Sequence, residues 1–166
     1  MAKWVTCEAD RHLATISRLL NEQIRYGTAL YDLVEKTPED MQAWFDAKLA
    51  ANLPIIGLES SSGELLGFAT ASRFRPQQAT ARTFEHSLYV DASARGQGLG
   101  KQLLSGIMDW AQNSQVHTLI GVIDADNTAS IAMHKKAGFT EQGRLNQVAY
   151  KFDRWLDAVF MQKLFN

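Results

Sequence analysis

The chain has 166 residues, 46% of them hydrophobic and 21% charged, and this length and composition predict one globular domain spanning residues 1–166. A formal net charge of −1 excludes a whole-molecule field that would attract nucleic acid or an anionic membrane surface. The single cysteine, Cys7, excludes an internal disulfide, and no apolar run approaches the roughly 18 residues that cross a bilayer. Because residues 1–4 also show no cationic, apolar leader, we expect a cytoplasmic protein.

Hydrophobic periodicity, turn residues and helix caps divide the chain into strands and helices. The patterns predict a strand at 4–7, a helix capped by Asp10 and ending at Tyr26, a helix from Thr37 to near Asn52, strands at 54–59, 65–74 and 83–91, a helix from Gly98, a strand at 116–123, a helix at 128–136 and strand segments at 139–144, 148–152 and 155–164. The resulting order, βααβββαβαββ, predicts an α/β domain with a mixed sheet and one internal crossover. The continuous apolar run at 119–123 predicts a strand buried on both faces.

A glycine-rich loop joins the strand at 83–91 to the next helix, with glycines at 96, 98 and 100. Such a loop can present unpaired N–H groups at a helix N-terminus to a phosphate. A dinucleotide fingerprint is excluded because its third glycine would stand at the position of Lys101, and a nucleoside-triphosphate loop because Gly96 and Gly100 are one residue too close. A plain strand-to-helix turn is the remaining alternative, although three glycines exceed what one turn requires.

The loop also carries a more specific pattern. Arg95-x-x-Gly98-x-Gly100 matches the Q/R-x-x-G-x-G/A pyrophosphate motif of the GNAT superfamily of acetyl-CoA-dependent N-acetyltransferases. Three further segments resemble the branch of phosphinothricin and methionine sulfone or sulfoximine acetyltransferases, namely EHSLYV at 85–90, NTASIAMH at 127–134 and KFDRWLD at 151–157.

This resemblance covers essentially the whole chain and is firmest from Arg73 onward. It implies a single-domain α/β (α+β) fold with a mixed, mostly antiparallel central sheet. About four helices would flank that sheet, which would be splayed at the strand that binds acetyl-CoA. It also implies a homodimer.

The resemblance implies catalytic roles for Glu85 and His134. From the residues alone, Glu85 is open to two interpretations, a partnered structural carboxylate or a functional one, because a charge in mid-strand is costly to bury. In related enzymes the matching glutamate is the general base, acting directly or through a water. His134 stands where many members place a tyrosine that protonates the CoA thiolate, and it could be that acid or a residue that packs on CoA. His86 alternates away from Glu85 and is expected to be structural.

Acetyl-CoA, the implied acetyl donor, would be bound largely by backbone. A bulge at residues 88–90 would pair with pantetheine and polarise the thioester carbonyl, and the glycine loop would hold the pyrophosphate. The implied acetyl-CoA-binding residues are Leu88, Tyr89, Val90, Arg95, Gly96, Gln97, Gly98, Leu99, Gly100, Lys101, Asn127 and Ser130. Lys101 is also open to being an exposed first-turn lysine, and Asn127 to being a helix cap.

The implied acceptor site combines Glu85 with Tyr31, Arg73, Phe74 and Arg75. A guanidinium suits a carboxylate or phosphinate, so the arginines would clamp an anionic group, although exposed loop arginines are the alternative. Tyr31 and Phe74 would form the apolar wall of the pocket.

The function expected from these residues is direct transfer of acetyl to the α-amino group of a small amino acid or analogue. No cysteine lies near the site to take the acetyl group, and the sequence has neither a Cys/His cluster nor H-E-x-x-H, so no metal is expected. The alternatives are acetylation of a protein N-terminus or another small amine, such as a polyamine, and a non-catalytic CoA-binding module. Arg73 and Arg75 argue against a polyamine, whose binding needs acidic walls.

Overall fold

The computed structural model describes residues 1–166. Its elements are β1 (Lys3–Thr6), α1 (Ala9–Tyr26), α2 (Pro38–Ala50), β2 (Ile55–Glu59), β3 (Leu65–Arg73), β4 (Thr83–Val90), α3 (Leu99–Asn113), β5 (Thr118–Asp124), α4 (Thr128–Lys136), β6 (Thr140–Lys151) and β7 (Arg154–Leu164). This is the order βααβββαβαββ predicted from the sequence. None of the helices is long and apolar enough to span a membrane, and the cytoplasmic location stays a prediction.

All seven strands form one sheet in the order β1-β2-β3-β4-β5-β7-β6. Only β4 and β5 pair in parallel, and α3 makes the crossover between them. Every other neighbouring pair is antiparallel. The mixed, mostly antiparallel sheet with four helices is therefore confirmed.

Local chemistry explains where the helices begin and corrects one predicted cap. Thr37 and Asp40 form a capping box at the start of α2, in which each side chain accepts from the other's backbone N–H. The predicted cap of α1 at Asp10 is wrong, because the N-cap is Glu8 and the helix begins at Ala9, two residues earlier than a cap at Asp10 would give. The backbone N–H of Glu8 donates to Nδ1 of His12 at 2.8 Å, so a histidine one turn into the helix provides the acceptor for the N–H of the N-cap residue.

Two other predictions about strands are corrected. The segments predicted at 139–144 and 148–152 are one strand, β6, and a register shift against β7 between Leu145 and Ala149 accounts for the interruption in the pattern. The central strand β5 is not buried on both faces. Its residues Leu119 and Ile123 lie in the core, but the opposite face is only half-buried.

The sheet separates two hydrophobic cores. One lies beneath α3 and includes Leu103 and Ile107, and the other lies beneath α1 and α2 and includes Ile16 and Phe45. Because strand side chains alternate between the faces, successive residues of β4 point toward different helix layers.

The sheet opens between β4 and β5. Their parallel pairing ends at His86 and Gly121, so the edge of β4 that faces β5 is unpaired from Ser87 onward. The pairing of β4 with β3 continues without a register shift to Val90. The bulge implied at residues 88–90 is therefore absent, and the opening arises because two strands diverge rather than because a residue is inserted.

Candidate active site

A cleft of about 1080 Å³ occupies the opening between β4 and β5 and extends from the glycine loop to the end of α1. It brings together every predicted acetyl-CoA-binding residue except Gln97. These lining residues are Leu88, Tyr89, Val90, Arg95, Gly96, Gly98, Leu99, Gly100, Lys101, Asn127 and Ser130. A cleft of this size is large enough for an extended cofactor.

Two of the three glycines in the loop adopt a backbone conformation that favours glycine. Gly96 and Gly98 have φ values of 77° and 76°, in the left-handed region that other residues rarely adopt. Gly98 is the N-cap of α3 and brings no side-chain cap, so the first N–H groups of the helix are left for another acceptor. A Cβ atom at Gly100 would meet only Met133 and Leu88, at ordinary contact distances of 3.5 and 4.0 Å. Packing within the protein therefore does not require the third glycine.

The charged and polar side chains around the cleft have different surroundings. Arg95 and Lys101 are exposed and form no ion pair, as expected of side chains available to a phosphate. Asn127 caps α4, because its side chain accepts from the backbone N–H of Ser130 at 3.1 Å. The capping role of Asn127 is thus observed, and its contact with CoA stays a prediction.

His134 lies at the base of the cleft, where both of its ring nitrogens are engaged. Its Nδ1 lies 2.8 Å from the backbone carbonyl of Ser130 and its Nε2 lies 2.9 Å from Nε2 of His86. A carbonyl only accepts, so the proton of neutral His134 is on Nδ1. His86 must then donate its own Nε2–H to His134, and its Nδ1 is the buried side-chain atom left without a partner.

The two imidazoles are buried and stacked, with ring centroids 5.1 Å apart. Burial lowers the pKa of His86 to about 3 and also lowers the pKa of His134, so the pair is neutral near pH 7. A Cβ atom at Gly121 would lie 3.0 Å from the His86 ring, so the absent side chain makes room for the pair. This arrangement favours the packing role for His134 over the acid role.

Glu85 lies on the opposite face of β4 from His86. Its side chain is half-buried, accepts no hydrogen bond and forms no ion pair within the chain, unlike a partnered structural glutamate. Burial raises the pKa of Glu85, and the positive charge of Arg75 opposes that rise. The pKa of Tyr31 is raised by burial and by the negative charges of Asp124 and Glu85. Both Tyr31 and Arg75 are thus within electrostatic reach of Glu85.

The remaining predicted acceptor residues lie at the end of β3. Arg75 is exposed and its guanidinium stacks over the half-buried Phe74 ring at 5.1 Å. Arg73 is also exposed, and it donates to the backbone carbonyl of Gln77 at 3.5 Å. Of the two arginines, only Arg75 influences the pKa of Glu85. Arg73 instead fits the alternative interpretation, an exposed arginine without a role in the acceptor site.

Sequence reasoning missed two residues near this site, Asp124 and Lys48. Asp124 ends β5, lines the cleft and acts on Tyr31. The signal available for it was a carboxylate at the end of the strand parallel to β4. Lys48 is in α2 and almost fully buried, and an isolated lysine in a helical pattern carries no signal of burial.

Comparison with known proteins assigns the family. Residues 16–139 match the model of the acetyltransferase (GNAT) family. The chain belongs to the GNAT acetyltransferase family. Its membership confirms the predicted family and the predicted enzyme class, an acyltransferase.

Relatives of this GNAT chain cover most of its length. It is 39% identical over 153 residues to the L-methionine sulfoximine/L-methionine sulfone acetyltransferase of Pseudomonas paraeruginosa, covering 90% of this chain and 87% of that protein. It is 36% identical over 158 residues to the phosphinothricin N-acetyltransferase of Alcaligenes faecalis, covering 95% and 80%.

A solved structure gives the same result for the fold. The GNAT superfamily phosphinothricin acetyltransferase of Sinorhizobium meliloti, in complex with acetyl-CoA, superposes with a TM-score of 0.95 at 30% identity, covering 99% of this chain and 89% of that one. The fold predicted from the sequence is confirmed, and the complex supports acetyl-CoA as the donor.

Proposed function

We propose that this enzyme transfers acetyl from acetyl-CoA directly to the α-amino group of a small amino acid or analogue of the methionine sulfone, methionine sulfoximine or phosphinothricin type. The observation that carries the proposal is Glu85, a half-buried carboxylate with no partner in the protein, whose pKa is influenced by the positive charge of Arg75. A free carboxylate can receive an ammonium, and an adjacent guanidinium can receive the carboxylate on the same carbon. The named activities of the relatives from Pseudomonas paraeruginosa and Alcaligenes faecalis support this acceptor class.

The residues around the cleft fit acetyl-CoA as the donor. N–H groups of the glycine loop and of the first turn of α3 would hold the pyrophosphate, with Arg95 and Lys101 adding charge. The unpaired edge of β4 at residues 87–90 would pair with the pantetheine arm. Backbone N–H groups of that edge would also polarise the thioester carbonyl, which is a strong catalytic device because the donors are already in place.

Glu85 would act as the general base. Burial raises its pKa and so increases its affinity for a proton, and the positive charge of Arg75 opposes that rise. In the reaction a nitrogen–carbon bond forms and a carbon–sulfur bond breaks. One ammonium proton passes to Glu85 and a second leaves with the CoA thiol.

Direct transfer is supported by the surroundings of the single cysteine. Cys7 is 3% exposed in the core beneath α1 and α2. Burial and the negative charge of Glu59 raise the pKa of its thiol to about 12, so the reactive thiolate is scarce at neutral pH. Cys7 is therefore a structural residue and not an acetyl carrier.

A thiol-release assay tests the acceptor and the base together. We expect acetyl-CoA turnover with methionine sulfone, methionine sulfoximine and phosphinothricin, and a fall of about 10²-fold or more in kcat/KM for Glu85→Gln with acetyl-CoA binding retained. In the wild type kcat/KM should fall as pH drops through the Glu85 pKa, at a pH above the ordinary glutamate value of 4.5, because the base becomes protonated.

The matched control is Glu64→Gln, which removes an exposed carboxylate from the β2–β3 turn and should leave the profile unchanged. Turnover restricted to peptides or polyamines would contradict the acceptor class. Wild-type rates for Glu85→Gln at every pH would exclude Glu85 as the base.

We also propose that the enzyme is a homodimer formed through the β6–β7 hairpin. Apolar side chains are exposed there in one region, including Tyr150, Phe152 and Trp155, which are 52%, 49% and 57% exposed. The rings of Tyr150 and Trp155 pack edge to face with centroids 5.1 Å apart, forming a rigid aromatic surface. Exposed apolar patches of this kind mark association sites.

A further inference from the structure

A second cavity, of about 670 Å³, lies between α1, α2 and the strands β3 and β4. Side chains of Thr70 and Ser72 on β3 and of Ser87 and Tyr89 on β4 line its floor. Glu85 belongs to the same row of β4 side chains as Ser87 and Tyr89, since strand residues two apart share a face. Ser72 is the Cα partner of Glu85 across the strands. The row of side chains that forms the cavity floor therefore continues to Glu85, which lies next to the lining residues Ser72 and Ser87.

Lys48, in the last turn of α2, lines this cavity and is only 6% exposed. Its ammonium donates to the carbonyl of Ala71 at 2.7 Å and to Oγ of Ser72 at 2.6 Å, and it lies over the Trp44 ring. All of these partners are neutral, and they use two of the three donors of the ammonium. A buried cation without a counter-ion is costly.

The other charged groups of the cavity are already compensated. Lys36 and Asp32 form an ion pair at 2.6 Å, and the Asp40 carboxylate is used in the capping box. Asp40 lies eight residues before Lys48, about 12 Å away along the helix. Burial lowers the pKa of Lys48 to about 8, with no carboxylate acting against it, so the group is still a cation at pH 7. Lys48 is thus the cavity's cation that lacks an anionic partner.

We propose that Lys48 binds oxygen atoms at the side-chain end of the acceptor amino acid, and that this second cavity is the subsite that selects such acceptors. The inference rests on the proposed function and adds the determinant of side-chain specificity. Its ligand class is an amino acid whose side chain ends in oxygens on sulfur, phosphorus or carbon.

The positions of Arg75 and Lys48 indicate which end of the acceptor amino acid each of them would bind. We assign the α-carboxylate to Arg75, which is exposed just after β3, stacks over Phe74 and opposes, by its charge, the rise in the pKa of Glu85. Lys48 bonds Ser72, the Cα partner of Glu85, and lines the second cavity, so it is the cation that a side chain extending into this cavity would meet. An acceptor with an apolar end would leave the third donor of the buried ammonium unpaired and its charge without an anionic partner, and sites of this kind discriminate strongly.

The test compares methionine sulfone with methionine, which has the same skeleton without the two oxygens. We expect the wild type to prefer the sulfone in kcat/KM. Lys48→Met should lower kcat/KM for the sulfone about 10-fold or more and change that for methionine less than about 2-fold. Lys136→Met is the control, because it removes an exposed cation of α4 that lines neither cavity, and it should keep the wild-type preference.

Equal losses on both acceptors would overturn the inference, because they would show that Lys48 only anchors α2 to β3. If Lys48→Met does not fold, Lys48→Gln keeps a donor toward Ala71 and removes only the charge. If the wild type turns over no amino acid, the proposed function fails separately. Calorimetric titration of methionine sulfone into the acetyl-CoA-loaded protein then tests the role of Lys48. Equal affinity in the wild type and in Lys48→Met would refute the proposed subsite.

Discussion

Glu85 and His134 lie on opposite sides of β4, and they differ in whether their polar atoms are hydrogen-bonded within the protein. Glu85 is half-buried and has no hydrogen-bond partner, so its oxygens are free and its pKa is raised. His134 is 3% exposed, its single N–H is committed to the Ser130 carbonyl, and its other nitrogen accepts from His86. Proton transfer needs a group whose polar atoms are free to reach the substrate, and this difference favours Glu85 over His134 for the proposed proton transfer.

Replacing His134 tests this difference at the residue scale. We expect His134→Phe to lower kcat by less than about 10-fold and to leave its pH dependence unchanged, whereas removal of a general acid costs about 10²–10⁴-fold. The variant should lose about 1–3 kcal/mol in the free energy of urea unfolding, because the N–H of His86 loses its buried acceptor. A 100-fold loss of kcat with wild-type stability would instead assign His134 as the acid.

At the scale of elements, the segment 27–37 between α1 and α2 couples the two cavities. Residues 27–29 line the cleft, and Leu30, Asp32 and Lys36 line the second cavity. Side chains from elsewhere hold this segment in place. Asn21 exchanges two hydrogen bonds with the backbone of Lys36, and the buried Lys151 ammonium donates to the carbonyls of Gln23 and Leu30.

We expect Lys151→Met to loosen segment 27–37, because the Leu30 carbonyl loses its donor and the Gln23 carbonyl keeps only the N–H of Gly27. The KM for the acceptor should rise about 10-fold while the KM for acetyl-CoA stays within about 2-fold. Limited proteolysis should cleave residues 27–37 faster than in the wild type. Lys163→Met is the control, since it removes a similar lysine bond, to Ala137 at the end of α4. Equal changes in both KM values would contradict this role.

At the scale of the whole molecule, the helices cover the middle of the sheet and leave one end bare. Strand β6 forms the edge of the sheet and is exposed over nearly its whole length. Long exposed edges promote pairing with other chains unless something covers them. The aromatic side chains of the β6–β7 hairpin occupy this end, and they support the proposed homodimer.

We expect Trp155→Glu to shift the protein from a dimer to a monomer in size-exclusion chromatography with light scattering, because it places a charge in the proposed apolar contact. Leu49→Glu is the matched control, since Leu49 on α2 is equally exposed at 57% but lies on another surface. A wild-type protein that is monomeric at all concentrations would contradict the homodimer.

The features that the sequence by itself determined are those encoded by neighbours along the chain. The element order, the capping box at Thr37 and the left-handed Gly138 that follows α4 all depend on residues within one or two turns of each other. The glycine loop belongs to this group as well, because its conformation is set by its own residues. The family resemblance added the expectation of a base at Glu85, which local pattern alone left open.

Only the tertiary structure decided how distant residues meet. His86 and His134 are 48 residues apart and Lys48 and Ser72 are 24 apart, and no local pattern pairs them. Their meeting depends on which strands become neighbours, and on the point at which the parallel pairing of β4 and β5 ends. Burial then fixes the charge of each group, since the desolvation that holds the histidines neutral and leaves Lys48 uncompensated exists only once the helices have packed on the sheet.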